Sequence, residues 1–301
     1  MPEQAAVDKL LMRRCGVSEV STPLWTVAED AAGYAAAGFA AIGVWLHKLE
    51  RGRMEGPFWM PDQIIPDDVI KDSVAAVKDS GLTVSHVVLS GNYTDEATHD
   101  RAIEHTLHAI DVAAALDAAC LIINPGRLNG LDRGAATDLA VSALRRVLRE
   151  RRAPVRLALE PVIDWQSDFL NTLAQALDLA DAIDHPDVGV YPDTWHLWET
   201  GTYDDDIARA GDRIFGFHLN DGRSGDRNRE IPGAGEIPLA DMVRAAEAAG
   251  YTGTYDVEYT TPMAVGPAFD VPYEEVLRRC AAGMTQVLRE AGVDAGAPGD
   301  S

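Results

Sequence analysis

Two hydrophobic periods alternate along this chain. Short apolar runs rich in β-branched residues are separated by longer segments whose apolar positions recur every three or four residues, the spacing of one helix face. The runs predict strands at Val17–Thr26, Phe39–Leu46, Leu82–Ser90, Cys120–Asn124, Val155–Glu160, Val188–Asp193, Ile214–Leu219 and Thr254–Tyr259. The longer segments predict helices over Glu29–Ala37, Pro66–Ser80, Thr94–Ala118, Ala135–Arg152, Ser167 or Asp168 to Ile183, Asp204–Gly211, Ile237–Ala249 and Tyr273–Glu290. Gly38, Gly81 and Gly250 stand as stop signals after three of them. His47–Pro61 reads as a loop with aromatic and basic residues. Eight strand–helix alternations imply parallel βαβ units, and at this length an α/β fold of one (β/α)8 TIM barrel. An open doubly wound sheet would bring a glycine-rich phosphate turn after an early strand. Neither GxGxxG nor GxxxxGK followed by Ser or Thr occurs, and PGAGE at Pro232–Glu236 does not directly follow a strand.

The barrel is expected over residues 17–292, after an N-terminal arm or short helix at 1–16 and before a mobile tail at 293–301. A hydrophobic content of 47% in 301 residues supplies a core of the required size. Charge changes the picture more. Lys plus Arg number 26 against 48 Asp plus Glu, a net charge of −22, which repels phosphate backbones and argues against DNA or RNA as a partner. Cys15, Cys120 and Cys280 are widely spaced and form no CxxC pattern, so they read as reduced thiols rather than structural zinc ligands. No window reaches the roughly 18 uninterrupted apolar residues of a membrane span, and the N-terminus has no cleavage site. A soluble cytoplasmic protein is the expectation.

In a barrel the C-terminal strand ends share one face. Strand five ends in Glu160, strand six in Asp193; strand seven carries His218 and strand eight Glu258. The gaps of 33, 25 and 40 residues each match about one βα unit. Four consecutive strands thus deliver Glu, Asp, His and Glu to one rim. Buried carboxylates need a counter-charge, and hard oxygen ligands with one imidazole suit Mn2+, Mg2+ or Co2+.

The motifs EPV at Glu160–Val162, DTWH at Asp193–His196, HLND at His218–Asp221 and REIPGAGEI at Arg229–Ile237, with Glu258 in strand eight, resemble the xylose-isomerase-like superfamily of sugar isomerases and epimerases. The chain looks nearest to the branch of ketose 3-epimerases, hydroxypyruvate isomerase and inosose dehydratase. The resemblance is specific over residues 155–260 and covers the N-terminal half only as an α/β rhythm. It implies that Glu160, Asp193, His218 and Glu258 hold one divalent ion, usually Mn2+. It also implies that His196 and Arg229 contact substrate oxygens.

The chemistry agrees with the resemblance. An ion chelated by a carbonyl and a neighbouring hydroxyl polarises the C–H between them and steadies an enediolate. Glu160 and Glu258 then serve as proton-transferring carboxylates on two faces of a sugar or polyol-derived ketone. One departure stands out. Ketose 3-epimerases place a second acid six positions after the strand-five glutamate, where this chain has Gln166. That departure motivates a lyase on the same scaffold, either an inosose-type dehydratase or a β-eliminating enzyme on 3-keto-glycosides, including C-glycosides, with a partner subunit. His86 and Asn124 are read as rim residues, and Trp25, Trp45 and Trp59 as surfaces on which a sugar stacks. The cluster Arg223, Arg227 and Arg229 would permit a phosphate. Two readings of other classes are a DNA-repair endonuclease of the same superfamily, opposed by the charge, and a non-catalytic barrel subunit, opposed by the intact ligand set. A homo-oligomer with a small sugar substrate is expected, and no membrane partner.

Overall fold

The computed structural model describes residues 2–53, 64–260 and 271–294. Trp59 and the last seven residues therefore lie outside the described residues. A helix, α1 (Pro2–Leu11), and a 3-10 turn lead into β1 (Cys15–Ser18), which starts inside the expected arm. Then follow α2 (Val27–Ala36), β2 (Ala41–Trp45), α3 (Leu46–Arg51), α4 (Asp67–Ser80), β3 (Thr83–Ser90), α5 (His99–Ala115), β4 (Leu121–Asn124), α6 (Arg133–Glu150) and β5 (Leu157–Leu159). The second half runs α7 (Leu173–Ile183), β6 (Val188–Val190), α8 (Thr194–Leu197), α9 (Tyr203–Ala210), β7 (Phe217–His218), α10 (Leu239–Ala248), β8 (Tyr255–Val257) and α11 (Tyr273–Ala291). Between β7 and α10 a small antiparallel hairpin pairs Asp221–Gly222 with Arg229–Glu230.

The eight barrel strands pair in parallel in the order β6-β5-β4-β3-β2-β1-β8-β7. The seam between β6 and β7 is closed by isolated parallel bridges, Val190 to Ile214 and Asp193 to His218. Across it Phe215 N donates to Val190 O at 3.0 Å and His218 N to Pro192 O at 2.9 Å. The expected (β/α)8 barrel is therefore the fold.

Strand periodicity decides what faces the axis, because successive side chains point to opposite faces. Leu121 and Ile123, Leu157 and Leu159, and Val188 and Val190 pack outward in the large core beneath the helices. Their alternates Cys120, Ile122 and Ala158, with Val88, Tyr191 and Phe215, fill the barrel interior. The same alternation, carried one step past Leu159 and Val257, turns Glu160 and Glu258 inward at the C-terminal rim. Helix starts show the local chemistry. Thr26 and Glu29 form a capping box that begins α2 two residues before the apolar pattern predicts, a device that stabilises by about 1 kcal/mol.

Candidate metal centre and active site

Glu160, Asp193 and His218 bring one ligand atom each to within 4.8 Å of one another, and all three are buried. Asp193 and His218 have no exposed surface, whereas Glu160 is 8% and Glu258 6% exposed. The site is thus deep, with an opening at the two glutamates. The imidazole of His218 lies between them: Nδ1 is 2.9 Å from Glu160 Oε1, and Nε2 is 3.9 Å from Glu258 Oε1. Glu258 stands apart from the close group. Its Oε1 accepts from Ser18 Oγ at 3.2 Å and its Oε2 from Arg229 Nη2 at 3.0 Å.

Neighbours fix these carboxylates. Asp193 Oδ1 caps α8 by accepting from Trp195 N at 2.8 Å, while Oδ2 accepts from Asn220 Nδ2 at 2.9 Å and Arg229 Nη2 at 3.0 Å. Asn220 also accepts from the Glu258 backbone N–H at 2.7 Å, which ties the ends of β6 and β8 together. Ser18 receives the Trp45 indole N–H at 2.7 Å, so its own proton turns to Glu258. His196 Nδ1 accepts from Ile163 N at 3.2 Å, leaving its proton on Nε2, 3.6 Å from Asp193 Oδ2.

Electrostatics follow from burial and crowding. Burial pushes the Glu160 carboxyl up, to about 7, against the pull of His218. Burial opposes a charge on His218, but the carboxylates of Glu258, Glu160 and Asp193 together outweigh it and raise the imidazole to about 9. Burial drives His196 down to about 3, so it stays neutral. Asp193 is held below its ordinary value: burial opposes this, and the charges of Arg229 and His218, with the Trp195 N–H, overcome it.

The donor set fits a hard divalent cation. Among the described residues the buried acids Glu160, Asp193 and Glu258 face one arginine, Arg229, and the imidazole of His218. Among the described residues His218 Nε2 has no hydrogen-bond partner. Two carboxylates and one imidazole in this arrangement match oxygen-preferring ions with open positions.

Other residues singled out from the sequence fall as follows. Arg229 reaches the centre, bridging Asp193 and Glu258, with its guanidinium stacked over Trp195. His196 also reaches it. His86 corrects the reading of it as a rim residue. It is fully buried, four residues short of the end of β3, with its ring 5.0 Å from that of His218 and hydrogen-bonded to Ser85 and Tyr191. Trp25 packs edge-on against Tyr273 and over Gly33, and among the described residues no ring contact or hydrogen bond joins it to Glu160, Asp193, His218 or Glu258. Asn124 donates to the Glu160 backbone carbonyl at 3.4 Å. Ser18 and Asn220 are additions the sequence reading missed. Asn220 lay inside the HLND motif; Ser18 was hidden by a blurred first strand.

A parallel barrel with a Glu-Asp-His cluster at its C-terminal rim carries a candidate metal site on the face where barrels of this kind build their active sites. Residues 32–286 match the family model described as xylose isomerase-like TIM barrel, and the chain belongs to that family. It is 33% identical over 105 residues to D-psicose 3-epimerase of Enterocloster bolteae, covering 35% of this chain and 33% of that one. It is 30% identical over 115 residues to inosose isomerase of Halalkalibacterium halodurans, covering 36% of this chain and 40% of that one. The aligned stretches thus span well under half of those relatives. The crystal structure of protein SMc04130 from Sinorhizobium meliloti superposes with a TM-score of 0.78 at 26% identity, over 92% of this chain and 98% of that one.

Proposed function

We propose that this protein is a divalent-metal-dependent isomerase or epimerase that removes a proton from the carbon beside a carbonyl of a sugar or polyol-derived ketone. The observation that carries the reading is the convergence of Glu160, Asp193 and His218 within 4.8 Å at the strand ends. The epimerase and isomerase names of the relatives support it. Glu160, Asp193 and His218 would hold the ion, with Glu258 as the fourth candidate ligand; Mn2+ is the favoured metal, and Mg2+ or Co2+ would serve. When bound, the cation polarises a carbonyl and offsets negative charge developing on oxygen.

The chain's own groups do the rest. Glu160 and Glu258 lie on opposite sides of His218, so one carboxylate can take a proton from one face of a planar carbon and the other return it to the second. Arg229 and the His196 Nε2–H point donors at substrate oxygens. Ser18 and Arg229 each fix one oxygen of Glu258, which sets the direction of its remaining lone pairs. Trp195 and Trp165, edge to face at 6.4 Å, form an aromatic wall beside Arg229.

Solvent exchange tests the reading. With ketoses, inososes and 3-keto-glycosides in D2O, the metal-loaded protein should place deuterium on a carbon adjacent to a carbonyl. A mutant pair, Glu160→Gln and Glu258→Gln, that both turn over normally would sink it. An olefinic product with a released substituent would instead select the lyase suggested by Gln166.

A further inference from the structure

We propose that Asp221 is a positioning residue for Arg229, acting through the backbone of the loop that returns from the hairpin to α10. This deepens the reading above, because it rests on Arg229 facing the substrate.

Asp221 is 1% exposed, and among the described residues its carboxylate has no basic side chain as a hydrogen-bond partner. It collects backbone N–H groups instead. Oδ1 accepts from Gly222 at 2.8 Å and Ile237 at 3.2 Å, and Oδ2 accepts from Gly233 at 2.8 Å and Gly235 at 2.9 Å. Glu236 N closes the turn on Gly222 O at 2.7 Å. A buried carboxylate left without donors would cost several kcal/mol, so the loop over residues 231–237 has one strongly favoured path: around this group. The REIPGAGEI motif follows from it. Gly233 has φ +84°, and a Cβ on Gly235 would fall 2.2 Å from Asp221 Oδ1. Gly283 of α11 makes room on the other side, where a Cβ would meet Pro232 O at 2.1 Å.

Arg229 sits on the hairpin strand that this loop leaves. Its Cα pairs with Gly222, and Glu230 pairs with Asp221 itself. The hairpin has only these two pairs, and its connecting residues 223–228 are exposed. Arg223 Nε donates to Glu230 Oε1 at 3.0 Å across it and Arg229 N donates to Thr260 O at 3.4 Å, while the buried Asp221 carboxylate ties its first strand to the chain beyond its second. From that register Arg229 reaches Asp193 and Glu258, each at 3.0 Å.

Asp221→Asn leaves one acceptor oxygen and turns an NH2 toward two N–H donors. Gly235→Ala is the second variant, which keeps Asp221 but crowds its carboxylate. Two readouts on the Mg2+-loaded full chain decide the matter. Amide exchange at Gly233, Gly235 and Ile237 should accelerate at least about tenfold in either variant, while β4 and β5 keep their protection. In 15N-arginine-labelled protein the Arg229 Nε–Hε cross-peak, assigned by its loss in Arg229→Lys, should shift or broaden. A cross-peak unchanged in both variants overturns the proposal, because the loop would then not place Arg229. Unchanged exchange overturns it as well. With a turned-over substrate in hand, Asp221→Asn should lower kcat/KM by about 10²-fold, as an angstrom-scale misplacement does, and by little in an Arg229→Ala background. An equal loss in both backgrounds overturns it. Should no ketose react even with wild type, the functional reading falls, and the cross-peak still decides this one.

Discussion

Arg229→Met separates the metal-centre account from a purely structural one. The methionine keeps much of the volume and removes the charge. Arg229 is 8% exposed and pairs with Asp193 and Glu258, both at 3.0 Å. Removing one partner of such a buried pair costs about 3–5 kcal/mol, because the other charges stay buried without compensation. With an unfolding entropy of about 2.1 cal/mol/K per residue over 301 residues, that loss lowers Tm by about 5–8 °C in metal-stripped protein. A divalent cation at Glu160, Asp193 and His218 would supply the missing positive charge. The Tm gap between variant and wild type should therefore narrow under saturating Mn2+. The variant should also bind Mn2+ more tightly, by about tenfold for each 1.4 kcal/mol of relieved repulsion. Scanning calorimetry of both proteins, stripped and loaded, gives the four values required. An equal gap with and without Mn2+, or weaker binding by the variant, would refute the claim that cation and guanidinium share these carboxylates.

Further outcomes follow from other contacts. Glu160→Gln should lower proton exchange into substrate by about 10²–10⁴-fold, the usual contribution of a general base, measured by deuterium incorporation. Ser18→Ala removes a hydrogen bond to a buried carboxylate, and kcat/KM should fall by about tenfold or more; a value unchanged within twofold would remove Ser18 from the site. The pH dependence of stability should carry the mark of Glu19. Burial raises this carboxyl, to about 8, as it packs beside Asp30 and Lys48. Its folded pKa exceeds its unfolded one, so the folded state keeps a proton that the unfolded state gives up. Stability falls as pH rises from about 4.5 to about 8 and levels off above. Glu19→Gln should therefore gain on wild type across pH 5–8 in denaturant titrations, and parallel curves would contradict the assignment.

The barrel and the acids and imidazole gathered at its strand ends were legible in the sequence for a physical reason. Parallel strands buried on both faces are apolar runs, and a polar residue ending such a run marks the rim. Glu160 after Leu157–Leu159 and Asp193 after Val188–Val190 follow that rule. What escaped depends on tertiary contacts. The first strand stops at Ser18 because Glu19 turns back to accept the Trp45 N–H at 2.8 Å. Helix α7 starts at Leu173, not at Ser167 or Asp168, because those side chains are spent on Gly126 O and Leu128 N. The seam of β6 and β7 is a pair of bridges, so β7 is shorter than its apolar run. The hairpin carrying Arg229 has no apolar pattern at all, and the Asp221 carboxylate organises it. His86 was misplaced because a histidine near a strand end reads the same whether it sits at the rim or one layer below it.

The most direct test of the central claim is a titration of Mn2+ into metal-stripped protein, followed by EPR or calorimetry, in wild type, Asp193→Asn and His218→Gln. One saturable site per chain in wild type, weakened by at least about tenfold in both variants, is the predicted result. Absence of a saturable site in wild type, or undiminished binding in both variants, would contradict the metal centre and the function built on it.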